Sequence, residues 1–129
     1  MKISEAAKTV GLPTKTVRYY ADIGLVTPIS RSEAGYRQYD DASLRKLNFV
    51  KRARSFGFTV KECRDLLGLY ENTERSSREV RAIAKERLTD IEAKQRELQL
   101  LHDELSLLVK ACKGDNRPDC PILKGLAGD

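Results

Sequence analysis

No run of about eighteen uninterrupted apolar residues occurs in the 129-residue chain, which excludes the usual membrane-spanning helix. Met1-Lys2-Ile3-Ser4 opens without a signal-peptide or lipidation pattern, so the expectation is a soluble, cytoplasmic protein with no membrane partner. Cysteine is scarce. Three thiols, an odd number in a reducing compartment, argue against a disulfide framework and leave burial, metal binding or redox chemistry. None belongs to a C-x-x-C pair on a βαβ pattern and no nucleophile has a base near it in sequence, so an enzyme is not expected.

What the chain does have is charge, unevenly spread. Residues 1 to 70 carry 13 Lys/Arg against 7 Asp/Glu, whereas residues 71 to 129 carry 11 against 12. The basic N-terminal part is the candidate polyanion binder.

Ser4 is a suitable N-cap for a helix to about Val10, closed by Gly11, and Thr14 for a second from Lys15 to about Ile23, closed by Gly24. Two short helices joined by a tight turn form a helix-turn-helix candidate. Val17 and Tyr20 face inward, leaving Lys15, Thr16, Arg18 and Tyr19 outside, where they can meet phosphates and base edges or simply be solvated. Between Val26 and Asp40 a Thr-Pro step, a Ser-Glu-Ala-Gly turn signal and Tyr36 and Tyr39 predict a two-stranded ribbon with its tip near Ser32 to Gly35. Arg31 precedes the tip and Arg37 follows it, a wing suited to gripping phosphates.

Asp40 is expected to cap a third helix to about Phe56, with Leu44, Leu47, Val50 and Ala53 on one face and Lys46, Lys51, Arg52 and Arg54 elsewhere on its surface. Thr59 and Glu62 form a capping box for a fourth helix to about Tyr70, in which Cys63 shares the apolar face and reads as core. The longest element is expected from about Ser77 to Ala111, roughly 50 Å. Ala84, Leu88, Ile91, Gln95, Leu98, His102, Leu105 and Val109 recur in steps of four and three, a heptad seam that only a second long helix can bury. The chain offers no other long helix, so a homodimer is expected.

Cys112 and Cys120 flank a loop containing Gly114 and Pro118. Pro121 suits the first position of a short helix, which makes Cys120 its N-cap and favours a thiolate there. Paired thiolates suit soft ions: Cu(I) and its heavier monovalent relatives, zinc or iron-sulfur clusters. Structural zinc wants four ligands and a cluster more cysteines, so a two-coordinate monovalent ion is the economical choice. A disulfide switch or two unliganded thiols stay open.

The segments ISEAAKTVGLPTKTVRYYADIGLVTP and RSEAGYRQY, the long helix and ACKGDNRPDCPI, in that order, resemble the MerR family of metal-responsive transcription regulators, the last of them its copper(I)-sensing CueR/HmrR branch. The resemblance implies a mainly α protein: a winged helix-turn-helix DNA-binding domain over 1–70, a dimerisation helix over 76–111 forming an antiparallel coiled coil, and a metal-binding loop with a short C-terminal helix over 112–129. It implies a homodimer on double-stranded promoter DNA, whose distortion on metal binding lets RNA polymerase holoenzyme read the promoter of metal-efflux or detoxification genes. By matching position, Lys15, Arg18 and Tyr19 would contact DNA from the recognition helix, with Thr16 of the same outer face beside them, Arg31, Tyr36 and Arg37 from the wing, and Arg54 would reach a further phosphate. Cys112 and Cys120 would hold Cu(I), with Ag(I) or Au(I) as substitutes. Branches that sense divalent ions carry a cysteine at the start of the long helix; the matching position here is Ser77, which favours a +1 ion, with Arg81 one turn further along offsetting negative charge. Ala34 departs from a common wing-tip Asn. A Cys112–Cys120 disulfide sensor on the same fold is the alternative.

Overall fold

The structure, a computed structural model, describes residues 1–31 and 37–128. The chain divides into two compact units, Met1–Arg87 and Leu88–Asp129. The first contains α1 (Ile3–Val10), α2 (Thr14–Asp22), β1 (Ser30–Arg31), β2 (Arg37–Gln38), α3 (Asp41–Ser55), α4 (Val60–Glu71) and the opening turns of α5 (Ser77–Ala111). The second holds the rest of α5 and α6 (Pro121–Ala127).

In the first unit, four helices bury one apolar face each. Ala6, Ala7 and Val10 of α1 meet Val17 and Tyr20 of α2, Leu47, Val50 and Ala53 of α3, and Cys63 and Leu67 of α4. Leu25, Val26, Tyr39 and Phe58 close the gaps between elements, and Ile83 of α5 packs half-buried against the same cluster. Cys63 is fully buried with its thiol 3.9 Å from the Phe58 carbonyl, and burial pushes its pKa up, as suits a small core hydrophobe.

The ends of the helices follow local chemistry in part. Asp40 accepts the Ser43 backbone N–H at 2.8 Å and opens α3, while Thr59 and Glu62 complete the reciprocal capping box of α4 at 3.1 and 2.9 Å. Ser4 and Thr14 do not cap: the N-cap positions belong to Lys2 and Pro13, neither with a side-chain cap bond. The reason for α1 is tertiary. Lys2 bridges to Gln38, and the Tyr39 N–H donates to the Met1 carbonyl at 2.7 Å, so the chain enters α1 from the edge of the ribbon. In α2 the Pro13 carbonyl accepts from Thr16 and Val17, which starts the helix one residue earlier than side-chain capping by Thr14 would. The ribbon pairs Ser30 with Gln38 and Arg31 with Arg37, antiparallel; its expected tip, Ser32 to Gly35, lies outside the described residues.

In the second unit α5 runs unbroken to Ala111, and no residue of this helix is fully buried. Leu98 and Leu105 of the expected seam are 64% and 51% exposed. α6 folds back onto α5 at Gly125, where a Cβ would lie 2.8 Å from both terminal carbons of Leu108; the missing side chain permits the approach. Gly128, at φ +79°, ends α6 in the left-handed conformation that glycine adopts without strain.

Two outcomes are expected. Leu47→Ala, which empties a fully buried position, should cost about 2–5 kcal/mol in denaturant unfolding. Asp40→Ala should remove a pH-dependent contribution: the Ser43 N–H holds the Asp40 pKa below its ordinary value, so its stabilisation is present at neutral pH. That contribution is lost as pH falls through the native pKa, below about pH 4, where wild type and variant should converge.

Candidate functional site

Two sites emerge, one in each unit. On α2, Val17 and Tyr20 are spent on the core, which turns Lys15, Arg18 and Tyr19 outward and leaves Thr16 half-buried between them. Arg54, near the end of α3, reaches the same place: with Lys15, Thr16, Tyr19, Tyr20 and Val60 it lines a groove of about 320 Å³. No carboxylate lines it among the described residues, so its potential is cationic. Arg54 is anchored through Nη1 to the Phe58 carbonyl at 2.7 Å, which orders its stem while other donors of its fork stay available.

Arg31 and Arg37 face each other in the backbone register of the ribbon; Tyr36 lies outside the described residues. Two exposed cations of this unit also bond helix-end carbonyls. Lys51, expected on the surface of α3, donates to the Val10 carbonyl at 2.7 Å, and Arg64 of α4 bonds the carbonyls of Ile23 and Gly24. Sequence reasoning missed both roles, since each bond spans some forty residues and no local pattern announces it.

The second site is the thiol loop. Cys112 follows the last residue of α5, its N–H bonded back to the Leu108 and Val109 carbonyls, and Cys120 is the N-cap of α6. Both thiols are free and half-buried. The Cys120 side chain makes no capping hydrogen bond, but it stands at the start of α6, where the backbone N–H of Leu123 first, then that of Ile122, and the neighbouring Cys112 thiol favour its thiolate. Together they pull its pKa below the ordinary thiol value, against partial desolvation and the nearby Asp119 carboxylate.

The two aspartates of the loop are each paired with a cation. Asp115 is held by Arg117 through Nε at 2.9 Å and Nη2 at 2.7 Å, and that pairing keeps its pKa low. Asp119 pairs with Lys124 at 2.9 Å, and His102, with its side chain 71% exposed, sits 3.2 Å from Asp103. Among the described residues no group of three or more His, Cys, Asp or Glu is arranged to hold a metal. The donor set the loop offers is therefore two thiols. Ser77 and Arg81 are both exposed, one on the first residue of α5 and the other one turn later.

A helix-turn-helix head with an antiparallel ribbon, followed by a long helix that ends at two thiols, defines a DNA-binding regulator. The chain belongs to the MerR family: the family model described as MerR HTH family regulatory protein matches residues 1–69, and the one described as MerR, DNA binding matches residues 44–108. It is 52% identical over 127 residues to the HTH-type transcriptional regulator HmrR of Rhizobium leguminosarum bv. viciae, covering 98% of each chain. It is 41% identical over 128 residues to the HTH-type transcriptional regulator CueR of Salmonella typhimurium, covering 99% of this chain and 93% of the relative. Its fold matches the transcription regulator PbrR691 of Ralstonia metallidurans CH34 in complex with lead(II), with a TM-score of 0.78 at 34% identity over 98% of both chains. The protein is thus a metal-responsive transcriptional regulator of the MerR family and not an enzyme. No helix among the described residues is long and apolar enough to cross a membrane.

Alkylation of native protein with iodoacetamide should give two adducts by mass, on Cys112 and Cys120, and a third on Cys63 only after unfolding. Cys120 should label at a lower pH than an ordinary thiol, because the Leu123 N–H favours its thiolate; simultaneous labelling of Cys63 in native protein would contradict its burial.

Proposed function

We propose that the protein is a cytoplasmic, homodimeric transcriptional activator that responds to Cu(I), with Ag(I) and Au(I) as substitutes. The observation that carries this is the donor set: two free thiols flanking one loop, with the two aspartates between them each paired to a cation. Cys112 and Cys120 would hold the ion, and two soft anionic sulfurs match a monovalent soft cation without further ligands. The family resemblance puts Ser77 where a divalent sensor has its third thiol. A relative 34% identical was crystallised in complex with lead(II), so the fold alone does not choose the metal and the ligand count becomes the discriminating feature.

The mechanism needs no bond-making on DNA. Lys15, Thr16, Arg18 and Tyr19 would lie in the major groove, Arg54 with Arg31, Tyr36 and Arg37 of the wing would hold flanking phosphates, and the sequence-independent part of the affinity would come from those cations. Closing Cys112 on Cys120 joins the end of α5 to the start of α6. It biases the dimer between two DNA-bound conformations only as far as one of them holds the closed loop better. In the favoured conformation the promoter is distorted and RNA polymerase holoenzyme reads it. The dimer follows from the exposed leucines of α5, which a second copy would bury in an antiparallel coiled coil. A domain division of 1–70 for DNA, 76–111 for dimerisation and 112–129 for the metal loop goes with this reading, Ser77 and Arg81 lying beside the loop of the partner. Two free thiols flanking one loop also support a second reading, a regulator switched by a Cys112–Cys120 disulfide.

Under anaerobic reductant, mass spectrometry should find one Cu(I) per chain in wild type and none retained against a competing chelator in Cys112→Ser; equal retention by both would remove copper from this site. Arg18→Ala should weaken binding to a selected operator by about 1–3 kcal/mol, read as a shift in Kd. Sedimentation at micromolar concentration should give a dimer, and a monomer there would remove the coiled coil.

A further inference from the structure

We propose that Arg64 of α4 is a positioning residue for α2, clamping the end of the helix whose side chains read DNA. Its guanidinium donates through Nη2 to the Ile23 carbonyl at 2.9 Å and through Nη1 to the Gly24 carbonyl at 3.3 Å. These two carbonyls lie where α2 stops: Ile23 is the C-cap, and Gly24, at φ +73°, turns the chain away. The last carbonyls of a helix lack intrahelical donors and carry partial negative charge, so a cation is stabilising there. α2 has no basic residue in its own last turn. The cation is instead imported from α4, and a planar fork reaches both oxygens where an ammonium would serve one.

The comparison within the same head is α1. Its last carbonyl, Val10, is held by the Lys51 ammonium of α3 at 2.7 Å. Both helices of the motif are thus closed by a cation from the pair α3–α4, but only α2 is held at two points. Arg18 and Tyr19 lie within six residues of the clamp, so freedom at Ile23 is carried to the tips that meet base edges, where placement matters to about half an ångström.

This rests on reading α2 as the DNA-reading helix, and the test separates the two. Arg64→Ala and Arg64→Lys are made in the full chain, and amide hydrogen exchange is followed by NMR at Ile23, Gly24 and Leu25, whose N–H groups close α2 onto the Tyr19, Ala21 and Tyr20 carbonyls. Exchange there should rise about two- to fivefold in Arg64→Ala, less in Arg64→Lys. Gly11, which closes α1 onto Ala7, should not change.

Duplexes selected by wild type from a random library are then compared with scrambled ones. The ratio of affinities should fall by a similar factor in Arg64→Ala with the salt dependence unchanged, and Arg64→Lys should restore part of it. A uniform loss on both duplexes with the salt slope reduced by about one would make Arg64 a phosphate contact and overturn the proposal. An unchanged ratio, or exchange raised throughout the core, would also overturn it. If wild type selects no duplex, the DNA reading of α2 fails, and the exchange measurement alone decides the clamp.

Discussion

The apolar stripe of α5 is the constraint on which the rest depends. A 35-residue helix is roughly 50 Å long, and its leucines stand in solvent along the described surface. Apolar area of that extent is costly to leave wet, so the helix has meaning chiefly as half of an interface. Once a second copy is admitted, the chain's two chemistries take up sensible places: a basic head at one end of the helix and a thiol pair at the other.

The head shows how a basic surplus is divided. A net excess of cations over residues 1–70 suggests polyanion binding, but the excess is not all aimed outward. Lys51 and Arg64 bond helix-end carbonyls of the motif, while Lys15 and Arg54 line a groove that has no carboxylate among the described residues. The first pair gives the helix-turn-helix its internal geometry; the second gives it a surface that attracts phosphate.

The thiol loop follows a different economy. Its two aspartates are paired with Arg117 and Lys124, so the two thiols are the unpaired donors the loop presents. What remains is soft and minimal in number, with the Cys120 pKa drawn below the ordinary thiol value. α6 rests on α5 through the contact of Gly125 with Leu108, so the second thiol is attached to an element that packs against the helix bearing the first.

Much of this was legible in the sequence because it is local. Capping boxes, left-handed glycines and heptad spacing act within a few residues, and so the boundaries of α3, α4 and α5, the start of α6, the core role of Cys63 and the N-cap position of Cys120 were readable from the chain. Only the tertiary structure decided that Met1 and Lys2 join the ribbon and displace Ser4 as a cap, that Arg54 enters the groove beside Lys15, and that Lys51 and Arg64 close α1 and α2. These partners are separated by some forty residues. A cation's choice between a carbonyl of the same chain and a phosphate outside it is written in no spacing, only in which oxygen the fold brings within reach.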